Sequence, residues 1–432
     1  MCIRDSPSTV QESLSHDGSG NLPGLKDDNA NWDLRPHRDR VQKVDAHALK
    51  VWHSILEDES VPLIESRMVY TVNTEAAAVL EKLAAAPRMR DLGLQFSSGW
   101  NETTDKKAGY FDTGWAHPAS WDDVILQGPH LGVSTPMIKQ PNPTLKHNQD
   151  WSEVDFEAMP ADFIPATAYQ PDRGGKPTYD SVYPKWFGSN GNASASSFFR
   201  VAWRRMAATT GFRTLYPSLI PPGAKHVHPV HSAAVVDESK QTVLAGAAMS
   251  TLICDFWARS TGASEMSYPL VESLPFSTET QAARLMKNYL RLNCLTDAYA
   301  PLWEEVVGEP WDVDTPLRKD EERRAAQVEI DAIVALSLGV TADELCMIYQ
   351  TQFPVMRRYD QEDRFEANGR KVPKEIVKAD AKLKGGAELS AADRTWVHPQ
   401  SGVEYVYEYP FRQLDREADM REAYARFEGY NN

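Results

Sequence analysis

The 432-residue chain is poor in cysteine: it has only Cys2, Cys254, Cys294 and Cys346, and none of them stands in Cys-x-x-Cys spacing. This scarcity excludes a disulfide framework and a cysteine-ligated zinc site. No run reaches the roughly 18 consecutive apolar residues of a membrane helix, and the polar residues 1–30 lack the apolar core of a signal peptide. We therefore expect a cytoplasmic protein without a membrane partner.

Catalytic motifs are also missing. A methyltransferase needs a glycine-rich turn after a strand to hold S-adenosylmethionine, and an (Asn/Asp/Ser)-Pro-Pro-aromatic loop to grip a flipped adenine. Asn142-Pro143 is followed by threonine, and the glycine pair at Gly188 and Gly191 follows no predicted strand. The chain has no P-loop and no Gly-x-Ser-x-Gly elbow either. We therefore predict no catalytic, cofactor-binding or metal-binding residue in this chain.

The composition nonetheless predicts a folded protein, since 42% of the residues are hydrophobic and 10% are aromatic. Between residues 92 and 140, short aromatic and β-branched runs are punctuated by glycine, proline and asparagine, which indicates strands joined by tight loops. Helical spacing recurs further along the chain. We expect a mixed α and β (α+β) fold, with a curved mixed β-sheet, a mainly helical support and a C-terminal appendage.

Composition shifts along the chain predict its organisation. Residues 1–30 are rich in serine, glycine and aspartate and lack periodicity, and the opening Met1–Ser6 resembles translated adapter sequence, so we expect an N-terminally truncated chain. Gly339 predicts a helix end, and Thr341 with Glu344 predicts a capping box. The expected segments are 1–30, a disordered or spurious N-terminus; 31–91, a helical lead-in; 92–275, the sheet domain; 276–353, the helical support; and 354–432, the appendage.

The distribution of charge is uneven. A net charge of −15 argues against nucleic-acid binding, because phosphates require a basic surface. From Ser181 to Val236, however, there is no aspartate or glutamate at all. The basic residues of this acid-free segment are Lys185, Arg200, Arg204, Arg205, Arg213 and Lys225. Two interpretations stay open: a phosphate-binding surface, or chance clustering on a solvated face in which Arg200 and Arg204 pair with carboxylates elsewhere.

Several blocks of the sequence occur in an order that points to one family. The first block is FRVAWRRMAATTGFRTLYPSLIPPGAKHVHPVHS, the second is LAGAAMSTLICDFWARSTGASEMSYPLVESLPF, and the third is VEIDAIVALSLGVTADEL. VILQGPHLGVSTPMIK and DFIPATAYQ precede them. Together they resemble the target-recognition and C-terminal region of fused restriction-modification adenine-specific DNA methyltransferases, of the type IIG-like and phage-exclusion kinds. The resemblance covers roughly residues 100–353.

The resemblance implies a function for the sheet domain. Residues 92–275 would be the DNA target-recognition domain of an N6-adenine DNA methyltransferase from a prokaryotic restriction-modification or phage-defence system. The implied partners are double-stranded DNA and an upstream methylase domain of the same polypeptide. S-adenosylmethionine is the cofactor implied for the full-length enzyme, whereas this chain binds none. We expect Asp331 to be a packing or capping residue.

DNA recognition needs Lys and Arg on phosphates, and Arg, Asn or Gln on base edges. The predicted DNA-binding residues are Arg200, Arg204, Arg205, Arg213, Lys225, His226 and Lys185. Trp186, Phe187 and Asn190–Asn192 predict a flexible aromatic and polar loop beside them. His226, His228 and His231 have no acid or cysteine within five residues, so we expect solvated or DNA-facing side chains and not metal ligands.

Two other functions are compatible with the sequence. Asp172, Glu238 and Lys240 match the residue types of a metal-dependent DNA nuclease. Alternatively, the chain is a non-enzymatic protein-interaction scaffold whose basic patch meets an acidic partner.

The missing motifs generate a first prediction. The purified chain should transfer no methyl group to DNA, because no residues of it are predicted to hold S-adenosylmethionine or to grip a flipped base. The measurement is incorporation of labelled methyl groups into duplex DNA, and incorporation by this chain alone would contradict the prediction.

Overall fold

A computed structural model describes residues 7–27, 31–57, 59–69, 71–172, 179–189, 191–208, 210–277, 281–384 and 386–429. None of the helices in these ranges combines the length and the apolar character that a bilayer crossing requires.

Helices and short strands alternate along the described ranges. The α-helices are α1 Pro7–Ser15, α2 Ala46–Leu56, α3 Thr74–Ala84, α4 Thr104–Lys107, α5 Tyr179–Val182, α6 Ser239–Met249, α7 Leu252–Ser260, α8 Tyr268–Glu272, α9 Ala282–Asn293, α10 Ala300–Val307, α11 Asp320–Ser337, α12 Ala342–Gln352, α13 Pro354–Glu362, α14 Lys374–Asp380 and α15 Arg416–Gly429. The strands are β1 Gln95–Ser97, β2 Phe111–Ala116, β3 Ile125–Leu126, β4 Leu131–Gly132, β5 Thr135–Pro136, β6 Lys139–Pro141, β7 Trp151–Glu153, β8 Thr167–Pro171, β9 Lys185–Gly188, β10 Gly191–Ser194, β11 Arg200–Arg204, β12 Pro217–Ile220, β13 Lys225–His226, β14 Val230–Ala234, β15 Thr395–Val397 and β16 Glu404–Val406.

The central sheet has four strands in the order β1-β14-β11-β12, and all its neighbours are antiparallel. The remaining strands of the described residues form two-stranded pairs, of which β3 with β13 is parallel. The predicted mixed α and β class is confirmed. The single curved sheet that we expected is instead a set of small separate sheets, because proline and glycine turns stop the strands after a few residues.

The Pro221-Pro222-Gly223 break after β12 shows how such a stop is built. Gly223 has a φ of +89°, and a Cβ at this position would lie 2.9 Å from the Asp122 carboxylate and from the backbone of Trp121. Only glycine adopts this conformation readily and fits the space. The chain therefore turns sharply here and returns as β13.

Helix α6 covers the central sheet, and the following helix α7 packs on α11 and α12. The chain breaks between α6 and α7 at Ser250 and Thr251, where the Thr251 hydroxyl accepts a hydrogen bond from the backbone of Cys254 at 3.3 Å and caps α7. α6 also packs closely on α9, since a Cβ on Gly246 would lie 2.5 Å from the Tyr289 hydroxyl.

One main hydrophobic core joins distant parts of the chain. It contains Val79 of α3, Trp203 of β11, Tyr289 of α9, Ile333 of α11 and Tyr424 of α15, all buried. The expected boundaries at 91, 275 and 353 therefore do not coincide with separate cores. A smaller aromatic cluster lies within residues 92–275 and contains the buried Trp100, Phe111, Tyr179, Tyr183 and Trp186.

The N-terminal segment departs from the prediction. Residues 7–27 hold helix α1, and the buried Asn73 amide donates a hydrogen bond to the Pro23 carbonyl at 2.8 Å. The Ser13 hydroxyl accepts a hydrogen bond from the backbone of His37 at 3.3 Å. The prediction of disorder is wrong for these residues, because polar contacts to distant residues hold them. Residues 1–6 and 28–30 lie outside the described residues.

Local helix signals in the last third of the chain are confirmed. The Thr341 hydroxyl accepts from the backbone of Glu344, and the Glu344 carboxylate accepts from the backbone of Thr341, which forms the predicted capping box. Gly339 ends the preceding turn with a φ of +69°. Both signals depend only on neighbouring residues, so the sequence contains all the information they require.

Candidate nucleic-acid interface

Four of the predicted DNA-binding residues are buried inside the protein. Arg200 and His226 are 0% exposed, and Arg213 and Lys225 are 1% exposed. None of these side chains reaches the surface where a DNA phosphate would lie, so the prediction is wrong for all four. The physical reason is that carbonyl, hydroxyl and carboxylate groups from elsewhere in the fold surround them, which a charge count along the sequence does not reveal.

Arg200 of β11 is held by backbone carbonyls. Its guanidinium donates to the Phe198 carbonyl at 3.3 Å and to the Ala224 carbonyl. Among the described residues no carboxylate pairs with it, so the alternative expectation of an ion pair is also wrong for Arg200. Burial lowers the pKa of Arg200. Arg200 is therefore a cation in the interior that is solvated by the backbone.

Lys225 and His226 of β13 lie beside an aromatic cluster. The Lys225 ammonium lies 2.9 Å from the Asp180 carboxylate and 4.7 Å from the centre of the Tyr179 ring. The imidazole of His226 shares a 2.7 Å hydrogen bond with the Ser232 hydroxyl, and burial lowers the pKa of His226 well below its usual value. His226 is therefore neutral at pH 7 and has no charge to offer DNA.

Arg204 and Arg205 point to different surroundings, as the alternation of a strand requires. The Arg204 guanidinium donates to the Leu131 carbonyl at 2.6 Å and 3.0 Å and lies 4.2 Å from the centre of the Tyr216 ring. Arg205 forms a 2.7 Å ion pair with Glu265. Both cations therefore already have partners within the protein.

Arg213 belongs to a buried ionic network. The Asp255 carboxylate accepts hydrogen bonds from Arg213 at 2.7 Å, from Arg259 at 2.8 Å, and from the backbone of Thr214 and Leu215 at 2.9 Å and 3.2 Å. Although burial opposes its ionisation, the two guanidinium groups hold the pKa of Asp255 below its usual range. The network fixes the chain before β12 to helix α7.

Asp331 of α11 stabilises the break between α6 and α7. Its carboxylate accepts from the backbone of Leu252 at 2.7 Å, and the Arg213 guanidinium donates to the carbonyls of Ser250 and Thr251 at 2.8 Å and 2.7 Å. The expected capping role of Asp331 is confirmed. Burial raises the pKa of Asp331 to about 6. The break between α6 and α7 is thus held by residues from all three sequence blocks that carry the family resemblance.

No metal centre forms among the described residues, where no three His, Cys, Asp or Glu side chains are grouped so as to hold an ion. The His228 and His231 rings lie 5.7 Å apart. Asp172 follows β8, and its backbone N–H donates to the Tyr110 carbonyl at 2.8 Å. Glu238 and Lys240 lie elsewhere, at the start of α6. The nuclease candidate therefore lacks a ready cation site in this part of the chain.

The β9–β10 hairpin presents the remaining predicted contact to solvent. Its register pairs Lys185 with Ser194 and Phe187 with Asn192. Directly paired residues share a face, and residues two apart share it too, so these four side chains lie on one face. Phe187 is 72% exposed, and Lys185 and Asn192 are exposed as well. Trp186 lies on the opposite face and is buried.

The sequence predicts a flexible loop here, but the structure has a hairpin that is anchored to the central sheet. The indole of Trp186 donates to the Phe96 carbonyl at 2.9 Å. The Gln95 side chain accepts from the backbone N–H of Phe187 at 2.9 Å and donates to its carbonyl at 2.7 Å. Asn190, which we expected in this loop, lies outside the described residues.

No protein-family model matches the chain, and no curated protein matches it.

The ionic network generates a second prediction. Asp255→Asn should lower the free energy of unfolding by about 3–5 kcal/mol, because it leaves two buried guanidinium groups without their carboxylate. Asp343→Asn is the matched control, since Asp343 pairs with Arg421 at the surface and should cost less than about 1 kcal/mol. Urea unfolding at 25 °C measures both. Equal effects of the two substitutions would contradict the structural role of Asp255.

Proposed function

We propose that the chain is the sequence-specific DNA-recognition portion of an N6-adenine DNA methyltransferase of a prokaryotic restriction-modification or phage-defence system. Its methylase domain, with S-adenosylmethionine, would lie outside this chain, and the protein would act in the cytoplasm. The observation that carries this proposal is the buried network around Asp255, because it joins the three sequence blocks on which the family resemblance depends.

Two features of the network support the proposal: the free-energy cost of burying its charges, and its position between the three sequence blocks. A buried charge is tolerated only when it is paired and hydrogen-bonded, so Arg213, Asp255 and Arg259 act as one unit. Arg213 comes from the first block and Asp255 from the second, while Asp331 of the third block caps α7 beside them. The three blocks therefore meet in one structural frame, which is what the proposal requires of them.

A DNA-recognition module needs such a frame. Residues that contact base edges must be held within a fraction of an ångström of the productive geometry, so they are carried by rigid elements. In this chain the hairpin β9–β10 is anchored through Gln95 and Trp186 to the strand β1, which belongs to the central sheet. The hairpin and the central sheet are thereby joined in one unit.

A third prediction tests the proposal directly. The full chain should bind duplex DNA of about 30 base pairs, with non-specific dissociation constants of roughly 10⁻⁶–10⁻⁴ M that weaken as salt rises. Fluorescence anisotropy with labelled duplexes of random sequence at 50–200 mM salt measures this. The slope of log affinity against log salt should be shallow, because each phosphate contact contributes about −0.9. Of the six basic residues in the acid-free segment, Lys185 alone is exposed.

This binding experiment and a plasmid-cleavage assay together separate the alternatives. Absence of duplex binding at 50 mM salt would contradict the proposal and favour a protein-interaction scaffold. Cleavage of plasmid DNA in the presence of magnesium or manganese would favour the nuclease that uses Asp172, Glu238 and Lys240; alanine substitution of Asp172 and of Glu238 would then have to abolish the cleavage.

A further inference from the structure

We propose that residues 225–231 form an acid-sensitive switch, in which protonation of the buried imidazoles of His226 and His231 releases this segment from the sheet domain while the helical support stays folded. We call residues 225–231 the histidine segment, because they hold His226, His228 and His231. The proposed function uses none of these three side chains, and the inference does not depend on DNA binding.

The His226 imidazole is enclosed, with no space for a counter-ion. Its side chain is 0% exposed, and a Cβ on Gly99 would lie 2.5 Å from the Nδ1 atom, so the backbone of Gly99 lies directly against the ring. The Nε2 atom shares its 2.7 Å hydrogen bond with Ser232, and the Tyr183 hydroxyl accepts from the His226 backbone at 3.3 Å. A proton on this ring would be a buried charge without a partner, which is strongly disfavoured in a closed fold.

The charged groups around the His226 ring are cations. Arg200 of β11 faces the ring, and its guanidinium is held by backbone carbonyls alone. His231 faces the ring from β14. Lys225, the neighbour on β13, is already paired with the exposed carboxylate of Asp180. A proton on His226 would therefore place a second uncompensated cation beside Arg200.

His231 of β14 is the second buried imidazole, with an exposed fraction of 6%. Its ring packs edge-on against Trp203, with ring centres 6.0 Å apart, and lies 4.6 Å from the ring centre of Tyr268. The Nδ1 atom is buried and has no hydrogen-bond partner among the described residues. A proton on Nδ1 would point into this aromatic packing, so the ring stays neutral while the segment is closed.

The charges near His231 also oppose its protonation. Arg205, which follows β11, and His228 lie beside the ring, and burial followed by the Arg205 charge lowers the pKa of His231 to about 4. The carboxylate that faces the ring is Glu265, which accepts a 2.7 Å hydrogen bond from Arg205. Arg205 holds the pKa of Glu265 below its usual range, so this carboxylate stays ionised at pH 5 and remains engaged with another cation.

Backbone hydrogen bonds hold the histidine segment on two sides. The N–H groups of Lys225 and Val227 donate to carbonyls in and beside β3 at 2.9 Å and 3.1 Å. On the other side, Trp100 donates to the His226 carbonyl at 2.8 Å and accepts from the backbone of His228 at 2.8 Å. Water reaches the His226 ring only when these bonds open, so proton uptake and opening of the segment are coupled.

The direction of the pH effect follows from this coupling. A histidine in the open segment has the ordinary pKa of about 6.5, whereas burial lowers the pKa of His226 and of His231 in the closed segment. The closed state is therefore most stable above pH 6.5 and loses stability as the pH falls from 6.5 towards 4.

The helical support responds differently to acid. Residues 276–353 contain no histidine. Burial raises the pKa of Asp331 to about 6, so protonation of Asp331 favours the folded state as the pH falls below this value. Although burial opposes it, two guanidinium groups keep the pKa of Asp255 below its usual range, so this carboxylate is still ionised at pH 5. Acid therefore acts on the histidine segment first.

Amide hydrogen exchange of the full chain at pH 7 and at pH 5 tests the inference. Protection factors, corrected for the intrinsic exchange rate at each pH, report the opening equilibrium of each region. Between these pH values each buried histidine should favour opening roughly 20-fold, so the two together should lower the protection of the Trp100, Val227 and His228 amides roughly 400-fold. Amides of α11 should keep their protection.

Two substitutions each remove one titrating group. His226→Gln keeps a neutral amide that can bond to Ser232, and His231→Phe keeps a ring that packs on Tyr268. Each variant should reduce the loss of protection to roughly 20-fold. Each variant is compared with itself at the two pH values, so a general loss of stability does not imitate this result. If one variant does not fold, the other carries the test.

His130→Gln is the matched control, because His130 is equally buried but lies outside the histidine segment. Its Nδ1 atom accepts from the Gln127 backbone at 2.9 Å, its Nε2 atom lies 3.0 Å from the Ala166 carbonyl, and burial lowers its pKa to about 4. This variant should keep the full response of the histidine segment. His47→Gln, which removes an exposed imidazole, should keep it too.

Three results would overturn the inference. Unchanged protection of the wild type at pH 5 would show that the segment does not open. A full response in both His226→Gln and His231→Phe would show that other groups sense the pH. A response that His130→Gln reduces as strongly, or that the α11 amides share, would show general acid unfolding in place of a local switch.

Discussion

The ion pair between Arg213 and Asp255 is the constraint on which the rest of the domain depends. Both side chains are almost completely buried, with the Arg213 Nε atom 2.7 Å from the carboxylate. Neither charge would be tolerated alone at this depth. The pair fixes the segment before β12 to the start of α7, and Asp331 holds the same helix start from α11. The segment that leads into the central sheet, the break between α6 and α7, and the helical support are therefore linked at one point.

The acid-free segment is used mainly inside the protein. Its cations Arg200, Arg213 and Lys225 are buried. These interior cations are held by carbonyls and carboxylates, and they do not create a broad basic surface. Lys185, Phe187 and Asn192 are exposed on the anchored hairpin, and the proposed function would require DNA contacts there.

Sequence patterns predict the features that depend on neighbouring residues. The capping box at Thr341 and the helix end at Gly339 are examples, since the partners are at most three residues apart. The burial of Arg213 could not be predicted, because its partner, the Asp255 carboxylate, is 42 residues away in the sequence. Packing of residues 7–27 was missed for the same reason, as Asn73 binds Pro23 from 50 residues away. The sequence did contain a signal for the hairpin, because the short runs Lys-Trp-Phe and Asn-Ala-Ser flank a turn that is bounded by Gly188 and Gly191.

The central claim is that the acid-free segment supplies an internal frame and one exposed element, the β9–β10 hairpin, that contacts DNA. Hydrogen–deuterium exchange of the full chain with and without duplex DNA tests this claim most directly. The account predicts that saturating duplex slows amide exchange in residues 185–189 and 191–194. Amides of β11 and of Thr214 and Leu215, which are already bonded inside the frame, should exchange at the same rate in both states. Slowed exchange confined to other surfaces, with the hairpin unchanged while DNA is bound, would contradict the account.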